Sequence, residues 1–354
     1  MTEPRVTPRP SSSARSVVIA LAAALLFGAS TPLAKALLSS AGPFMLAGLF
    51  YLGAALAVAP VSLRGSTAAL RTNRKQLGLL GGAVFFGGML APVLLLLGLR
   101  SAPAASVSLW LTLETVATTV LAWGVFREHV DRRTWAAAVL VVTAGILLAL
   151  PEGRTSLQAG GLVVLACICW GLDNNMTSLI SGYTPAQTTL VKGLVGGVVN
   201  LTLGLLLEPA AMRPQLLLAA ILVGALSYGV SIMLYITSAQ QLGASRSQML
   251  FASSPFLGVL LAWTLFREPI LLVQLSAGAI MAAGIGLMLA ASHEHEHVHD
   301  AMEHTHSHRH DGGHHTHPHS GLSASHRHTH PHTHEPMVHS HPHVPDLHHR
   351  HSHK

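Results

Sequence analysis

The chain has 354 residues, of which 50% are hydrophobic and only 10% charged, with a mean hydropathy of +0.48; soluble globular domains carry about 25% charged residues. Its formal net charge of +6 reflects 21 lysines and arginines against 15 acidic residues, unaccompanied by a Gly-x-x-x-x-Gly-Lys-Ser/Thr phosphate loop or a nucleic-acid-binding motif. This argues against a soluble enzyme, ATP-driven chemistry within the chain, or a nucleic-acid binder, and for basic residues that face anionic lipid.

Apolar stretches of roughly 18 to 25 residues, enough for a helix to cross ~30 Å of hydrocarbon, fall near 16–38, 43–63, 76–99, 104–126, 134–150, 160–181, 184–207, 215–236, 244–266 and 270–291. Helix is expected because lipid leaves each segment to satisfy its own amides, and the alternation of barrel strands is missing from these stretches. The expected fold is therefore an all-α membrane protein of ten transmembrane helices. Its divisions are a cytoplasmic segment (1–15), a five-helix repeat (16–150), a second one (151–291) and a tail (292–354). Arg5, Arg9 and Arg15 precede the first span. Arg64, Arg71, Arg74 and Lys75 follow the second, and Arg127, Arg132 and Arg133 the fourth, whereas the alternate loops offer Arg100, Arg154, Arg213 and Arg267. The bias places both termini in the cytoplasm of a multi-pass protein of the cell's inner (plasma) membrane. Residues 1–38 also suit a cleaved signal peptide ending near Ser39-Ser40-Ala41, but the first span has a counterpart in the second half.

That counterpart is Phe27-Gly28-Ala29-Ser30-Thr31 against Trp170-Gly171-Leu172-Asp173-Asn174. Gly42-Pro43 opens the second span as Thr184-Pro185 opens the seventh. Leu111 to Glu128 reads LTLETVATTVLAWGVFRE, and Phe251 to Glu268, 140 positions later, reads FASSPFLGVLLAWTLFRE. Ala144-Gly145-Ile146 and Ala283-Gly284-Ile285 close the fifth and tenth spans. Five is odd, so the second copy enters from the opposite face, an inverted repeat whose solute site is expected near the midplane between the halves.

Over about residues 16–291 these pieces resemble the drug/metabolite transporter superfamily with two EamA-type domains. The carriers are the aromatic-glycine-polar start of each repeat and a Leu-Glu-Pro element followed by Leu-Ala-Trp and a glutamate-containing turn. Leu113-Glu114-Thr115 and Ser253-Ser254-Pro255 each keep a different part of that element. The resemblance implies ten helices, no required cofactor, no enzymatic activity, and export or exchange of small solutes.

Polar residues at membrane depth mark the candidate pathway, because an ionisable group there costs about 2.5–3.5 kcal/mol. Lys35 near the end of the first span is a candidate counter-ion or a snorkelling side chain. Glu114 lies mid-span beside Thr115, Thr118 and Thr119 on nearly one helical face; it suits alternate binding of a proton and a cation, or else permanent pairing with a lysine. Asp173, Asn174 and Asn175 line a cavity or approach the interface, and Lys192 is the deeper candidate counter-ion. Tyr228, Ser231 and Tyr235 share a face, as pathway donors or interhelical glue, while Ser254 is the uncharged repeat mate of Glu114. Trp110, Trp123 and Trp263 read as packing or interface anchors, Gly193 and Gly197 as close-packing surfaces, and Cys167 and Cys169 as small apolar filler.

All but one of the 25 histidines lie in the tail. Candidate metal ligands are His293, His295, His297, His299, His304, His306, His308, His310, His315, His317 and His319, alternating with polar residues that cannot form a core, so disorder is expected. Imidazoles suit zinc, nickel and copper(II), and the tail resembles the histidine-rich extensions of nickel and cobalt resistance proteins, which implies nickel, cobalt or zinc as its ion; a pH-responsive basic tail is the competing account. His293-Glu294-His295-Glu296-His297 satisfies H-E-x-x-H only as an accident of the repeat. The expected partners are a small solute or metal ion and the lipid bilayer, with homodimerisation open. By a narrow margin the sequence favours efflux of divalent metal collected by the tail, over proton-coupled export of an organic solute or a membrane-anchored metal store.

Overall fold

The computed structural model describes residues 11–64, 74–125, 130, 132–150, 153–180, 183–208, 213–242, 247, 250–290, 293–299, 302–308, 328–334 and 337–343. The chain divides into a helical unit and a tail unit.

In the first half of the helical unit, α1 (Ser11–Gly28) and α2 (Ser30–Leu37) follow one another, and α3 (Pro43–Arg64) comes next. Then come α4 (Arg74–Ala83), a π-helical segment (Val84–Leu90), α5 (Ala91–Ser101), α6 (Ala104–Trp110), α7 (Leu113–Gly124) and α8 (Arg132–Ala149). The second half holds α9 (Gly153–Ser178), α10 (Pro185–Leu207), α11 (Pro214–Val223), a second π-helical segment (Gly224–Val230), α12 (Ser231–Leu242), α13 (Ser254–Thr264) and α14 (Leu272–Ala290). Eight helical stretches are long and apolar enough to cross a membrane, and Ser254–Thr264 and Leu272–Leu287 are shorter apolar helices. The duplication read in sequence recurs in the backbone: Arg74–Ala83 and Val84–Leu90 reappear 140 positions on as Pro214–Val223 and Gly224–Val230.

Proline starts several of these helices, because its fixed φ suits the first turn and its missing N–H has no partner there anyway. Thr184 adds a full capping box, accepting from the Gln187 amide while its own amide donates to the Gln187 side chain. Leu46, Phe50, Leu96, Leu99 and Trp110 are fully buried, whereas Leu63, Leu206 and Leu272 are exposed, as lipid-facing positions should be. Trp110 donates to the Gly145 carbonyl at 3.0 Å and Trp263 to Gln274 at 3.1 Å, so both are packing residues, while half-exposed Trp123 stands edge-on to Trp135. Cys167 and Cys169 are free and buried.

A π-helical turn departs from the regular i→i−4 ladder and is often found at functional sites. Around the first one, carbonyls are taken up by other helices. Gly87 accepts from the Tyr51 hydroxyl and, at 3.3 Å, from the Trp170 indole; the Asn200 amide donates to Gly88 at 3.3 Å and Met89 at 3.1 Å. Asn200 is 2% exposed. Asn200→Leu should therefore destabilise the protein by about 1–3 kcal/mol, the cost of stranding buried polar groups, seen as a lowered thermal midpoint in detergent. Thr202→Val, which loses only a bond to Val198 within its own helix, should leave the midpoint in place.

In the tail unit, β1 (His293–His299) pairs antiparallel with β4 (Met337–His343), and β2 (Met302–His308) with β3 (His328–His334). In these four segments the backbone is extended and paired. Histidine alternates there with glutamate, valine, threonine, serine and proline, and an alternation of period two matches that of a strand. The register sets His293, His295 and His297 opposite His343, His341 and His339, and His304, His306 and His308 opposite His332, His330 and His328. His299 falls opposite Met337, and His310, His315, His317 and His319 lie outside the described residues.

Candidate functional site

A cavity of about 470 Å³ lies between the two halves of the helical unit, within the few-hundred-Å³ range of small-molecule sites, about 300–1,000 Å³. One wall is aromatic. Tyr228 stands 5.9 Å from Phe27 and 5.9 Å from Tyr51, ring centre to ring centre, and Phe251 lies 5.3 Å from Phe27 and 5.0 Å from Tyr235. All five rings line the cavity, with Trp170 beside them. The chain is only 5% aromatic, so this wall gathers a scarce residue type.

The rest of the lining includes a polar group from α7, α9 and α10. Lys192 contacts both Asp173 oxygens, at 2.8 and 3.0 Å, and Thr177 donates to the same carboxylate at 2.8 Å. Glu114 accepts from the Asn174 amide at 2.9 Å, and that amide also reaches the Thr118 hydroxyl at 3.3 Å. Among the described residues Glu114 has no ion-pair partner; the pair formed in this group is Asp173 with Lys192. The group thus carries one cation and two carboxylates, a formal charge of −1 located at Glu114.

The Asp173 carboxylate fits because position 87 is glycine. A Cβ built on Gly87 would sit 2.0 Å from the Asp173 Oδ2 atom. The first π-helical turn brings this bare backbone against α9, and its Gly87 carbonyl accepts from Tyr51 and Trp170, two residues that also line the cavity.

Glu114, Asp173, Asn174, Lys192, Tyr228 and Tyr235 all line the cavity. Asn175 does not: it points from the same helix into the α7 contact, donating to the Thr118 and Gly171 carbonyls at 3.1 and 2.8 Å. One residue along a helix is a turn of about 100°, enough to move it off the lining. Ser254 is also absent from the lining. It is 3% exposed, and its carbonyl lies where a Gly28 Cβ would stand, so it belongs to a tight crossing between α1 and α13. Ser231 bonds the Ala23 carbonyl at 3.0 Å and holds helices together. Phe27, Tyr51, Trp170 and Phe251 were not singled out as pathway residues, since an aromatic on an apolar helix reads as core. The available signal was the paired Phe27 and Trp170 at the same place in each repeat.

The lining reaches one end of the bundle through Ile180, Tyr183 and Pro185. At the other end of α10, about 35 Å away for 23 residues at 1.5 Å each, Glu208 receives the Phe44 and Met45 amides at 3.0 and 3.0 Å. Nearby, Glu268 receives the Ala104 and Ala105 amides at 2.7 and 2.9 Å. Lys35 is not a counter-ion of the cavity; it donates to the carbonyls of Leu99, Arg100 and Ala102 at 2.7, 3.2 and 2.9 Å.

The EamA-like transporter family model matches residues 14–150 and 159–290. An uncharacterized transporter of Methanothermobacter thermautotrophicus (strain Delta H) is 27% identical over 290 residues, covering 76% of this chain and 84% of that protein. A solved crystal structure is similar with a TM-score of 0.58 at 16% identity, covering 77% of this chain and 96% of that one, a likeness of fold.

Proposed function

The chain belongs to the EamA-like transporter family, and on that premise we propose that it is a secondary exporter of a small organic cation or protonated amine, exchanged for a proton at Glu114. In this reading ten spans form two inverted halves that open the cavity alternately to either face of the plasma membrane, with both termini in the cytoplasm. The carrying observation is Glu114, a carboxylate that forms no ion pair among the described residues, in a cavity it shares with a cluster of aromatic rings. Ring faces attract cations by about 0.5–2 kcal/mol each when desolvated, and a carboxylate in a low-dielectric site binds either a proton or a cation, which makes the two compete.

A bare metal ion is a weaker fit to this cavity. Zinc takes about four nitrogen, sulfur or oxygen ligands, and among the described residues of the helical unit no group of three histidine, cysteine, aspartate or glutamate residues stands together. Asp173 is already committed to Lys192. The metal reading keeps one specific support, the tail register, in which six histidine pairs lie directly opposite one another on paired strands. Opposite residues and their i±2 neighbours share one face of a ribbon, so two adjacent rungs bring four imidazole-bearing positions together. The tail is accordingly a collector of nickel, cobalt or zinc on the cytoplasmic side, separate from the solute path.

Proteoliposomes loaded with an acidic interior and offered a panel of primary, tertiary and quaternary amines provide the test, with the intact protein and a variant lacking residues 292–354. Amine uptake driven by the pH gradient and undiminished in the truncated variant is expected, together with metal retention by the intact protein alone. Gradient-driven flux of nickel, cobalt or zinc without amine flux would overturn the organic-cation reading.

A further inference from the structure

We infer that Glu208 and Glu268 are positioning residues for the transport cycle: a pair of carboxylate latches that hold the Pro43 end of the bundle shut while the cavity opens at the Pro185 end. The inference rests on the proposed movement of one half against the other. Both glutamates belong to the second half, and each clasps the first half. Glu208, just past α10, takes the amides of the first and second residues after Pro43, and Glu268, between α13 and α14, takes those of the first and second residues after Pro103. In both, a proline begins the segment, the next two N–H groups have no helical acceptor, and one carboxylate fills both with charge-assisted bonds that the helix dipole strengthens.

The match is close to chemical identity at two separate contacts, with all four N···O distances between 2.7 and 3.0 Å. Space is reserved for the first latch, since a Cβ on Gly42 would fall 2.0 Å from the Glu208 carboxyl carbon. Lys35 braces the same end differently, because its acceptors Leu99, Arg100 and Ala102 lie in its own half. Separating the halves at this end breaks both glutamate clasps and leaves the three hydrogen bonds of the lysine whole, weakening only its attraction to Glu268. Simple capping for stability predicts no such distinction.

The test reads sidedness. A single cysteine replacing Ile232, which lines the cavity, is placed in a full-length background with Cys167 and Cys169 changed to alanine. A membrane-impermeant maleimide is applied to right-side-out or inside-out vesicles. Glu208→Gln and Glu268→Gln, which keep one acceptor and lose the charge, should each raise labelling from the Pro43 side relative to the Pro185 side by about tenfold, the equivalent of one charged hydrogen bond. Their combination should raise it further, whereas Lys35→Met lowers the thermal midpoint and moves the ratio by much less than either glutamate variant, since it removes only an attraction to Glu268 and no bond between the halves. Labelling from both faces with a ratio unmoved by the glutamate variants, or moved equally by Lys35→Met, would sink the latch and leave alternating access standing. Labelling from neither face in any variant would sink both.

Discussion

Glu114→Gln should lower gradient-driven flux of the transported cation by about 10- to 100-fold, the worth of one charged hydrogen-bond partner at 1.5–3 kcal/mol. It should do so while the protein reaches the membrane in normal amount. The amide is isosteric, so the Asn174 contact at 2.9 Å survives in shape, and what disappears is the charge a proton or substrate would neutralise. Because Glu114 has no cationic partner among the described residues, removing its charge strands nothing. The thermal midpoint should hold or rise, since a buried charge without a partner is a cost to the fold. Flux and midpoint measured on the same preparation separate a transport residue from a structural one, and a variant that keeps pH-driven flux would remove Glu114 from the mechanism.

Gly87→Ala should cost both stability and transport, with an effect larger than any surface substitution. Two terms oppose each other at this site. Alanine stabilises a helix over glycine by about 1 kcal/mol, but its Cβ would lie 2.0 Å from an Asp173 oxygen and 2.3 Å from its carboxyl carbon. The carboxylate must move, and moving it parts a buried pair held at 2.8 Å, a loss of about 3–5 kcal/mol. The clash decides the sign. Gly78, in the preceding helix, has nothing within 4 Å of a built Cβ, so Gly78→Ala should be neutral or slightly stabilising. If the two variants unfold at the same temperature, the Asp173 pair does not depend on the bare backbone at Gly87.

The helices were legible in the sequence because lipid imposes a simple constraint, a long apolar run whose ends carry proline, glycine or charge. Pro43 and Pro185, which open the second and seventh spans in the sequence, begin helices in the structure. Glu114, Asp173 and Lys192 stood out because a charge in an apolar run is conspicuous, and that signal depends only on composition. Which way a side chain faces depends on helix rotation. A single step of helix therefore separates Asn174, facing the cavity, from Asn175, which fastens α9 to Thr118. The π-helical turns were not legible, because a widened turn has no periodicity of its own and shows only where the ladder departs from i→i−4. Tyr51 was passed over for a related reason: its hydroxyl finds its acceptor at Gly87, in such a turn on another helix. In the tail, composition and alternation point different ways: polarity leaves no core to bury, while a period of two matches the extended backbone of the described segments.

The two π-helical turns, Val84–Leu90 and Gly224–Val230, occupy the same place in each repeat, while the charged pair has no such twin, since phenylalanine and serine stand near the corresponding places in the first half, at Phe50 and Ser30. Shared irregularities are inherited and unshared charges are acquired. The widened turn therefore predates the duplication of the EamA-like unit, and the ion pair dates from after it. Once the two units were one gene product, each half was free to evolve separately, and solute selectivity could be written into one half without being imposed on the other.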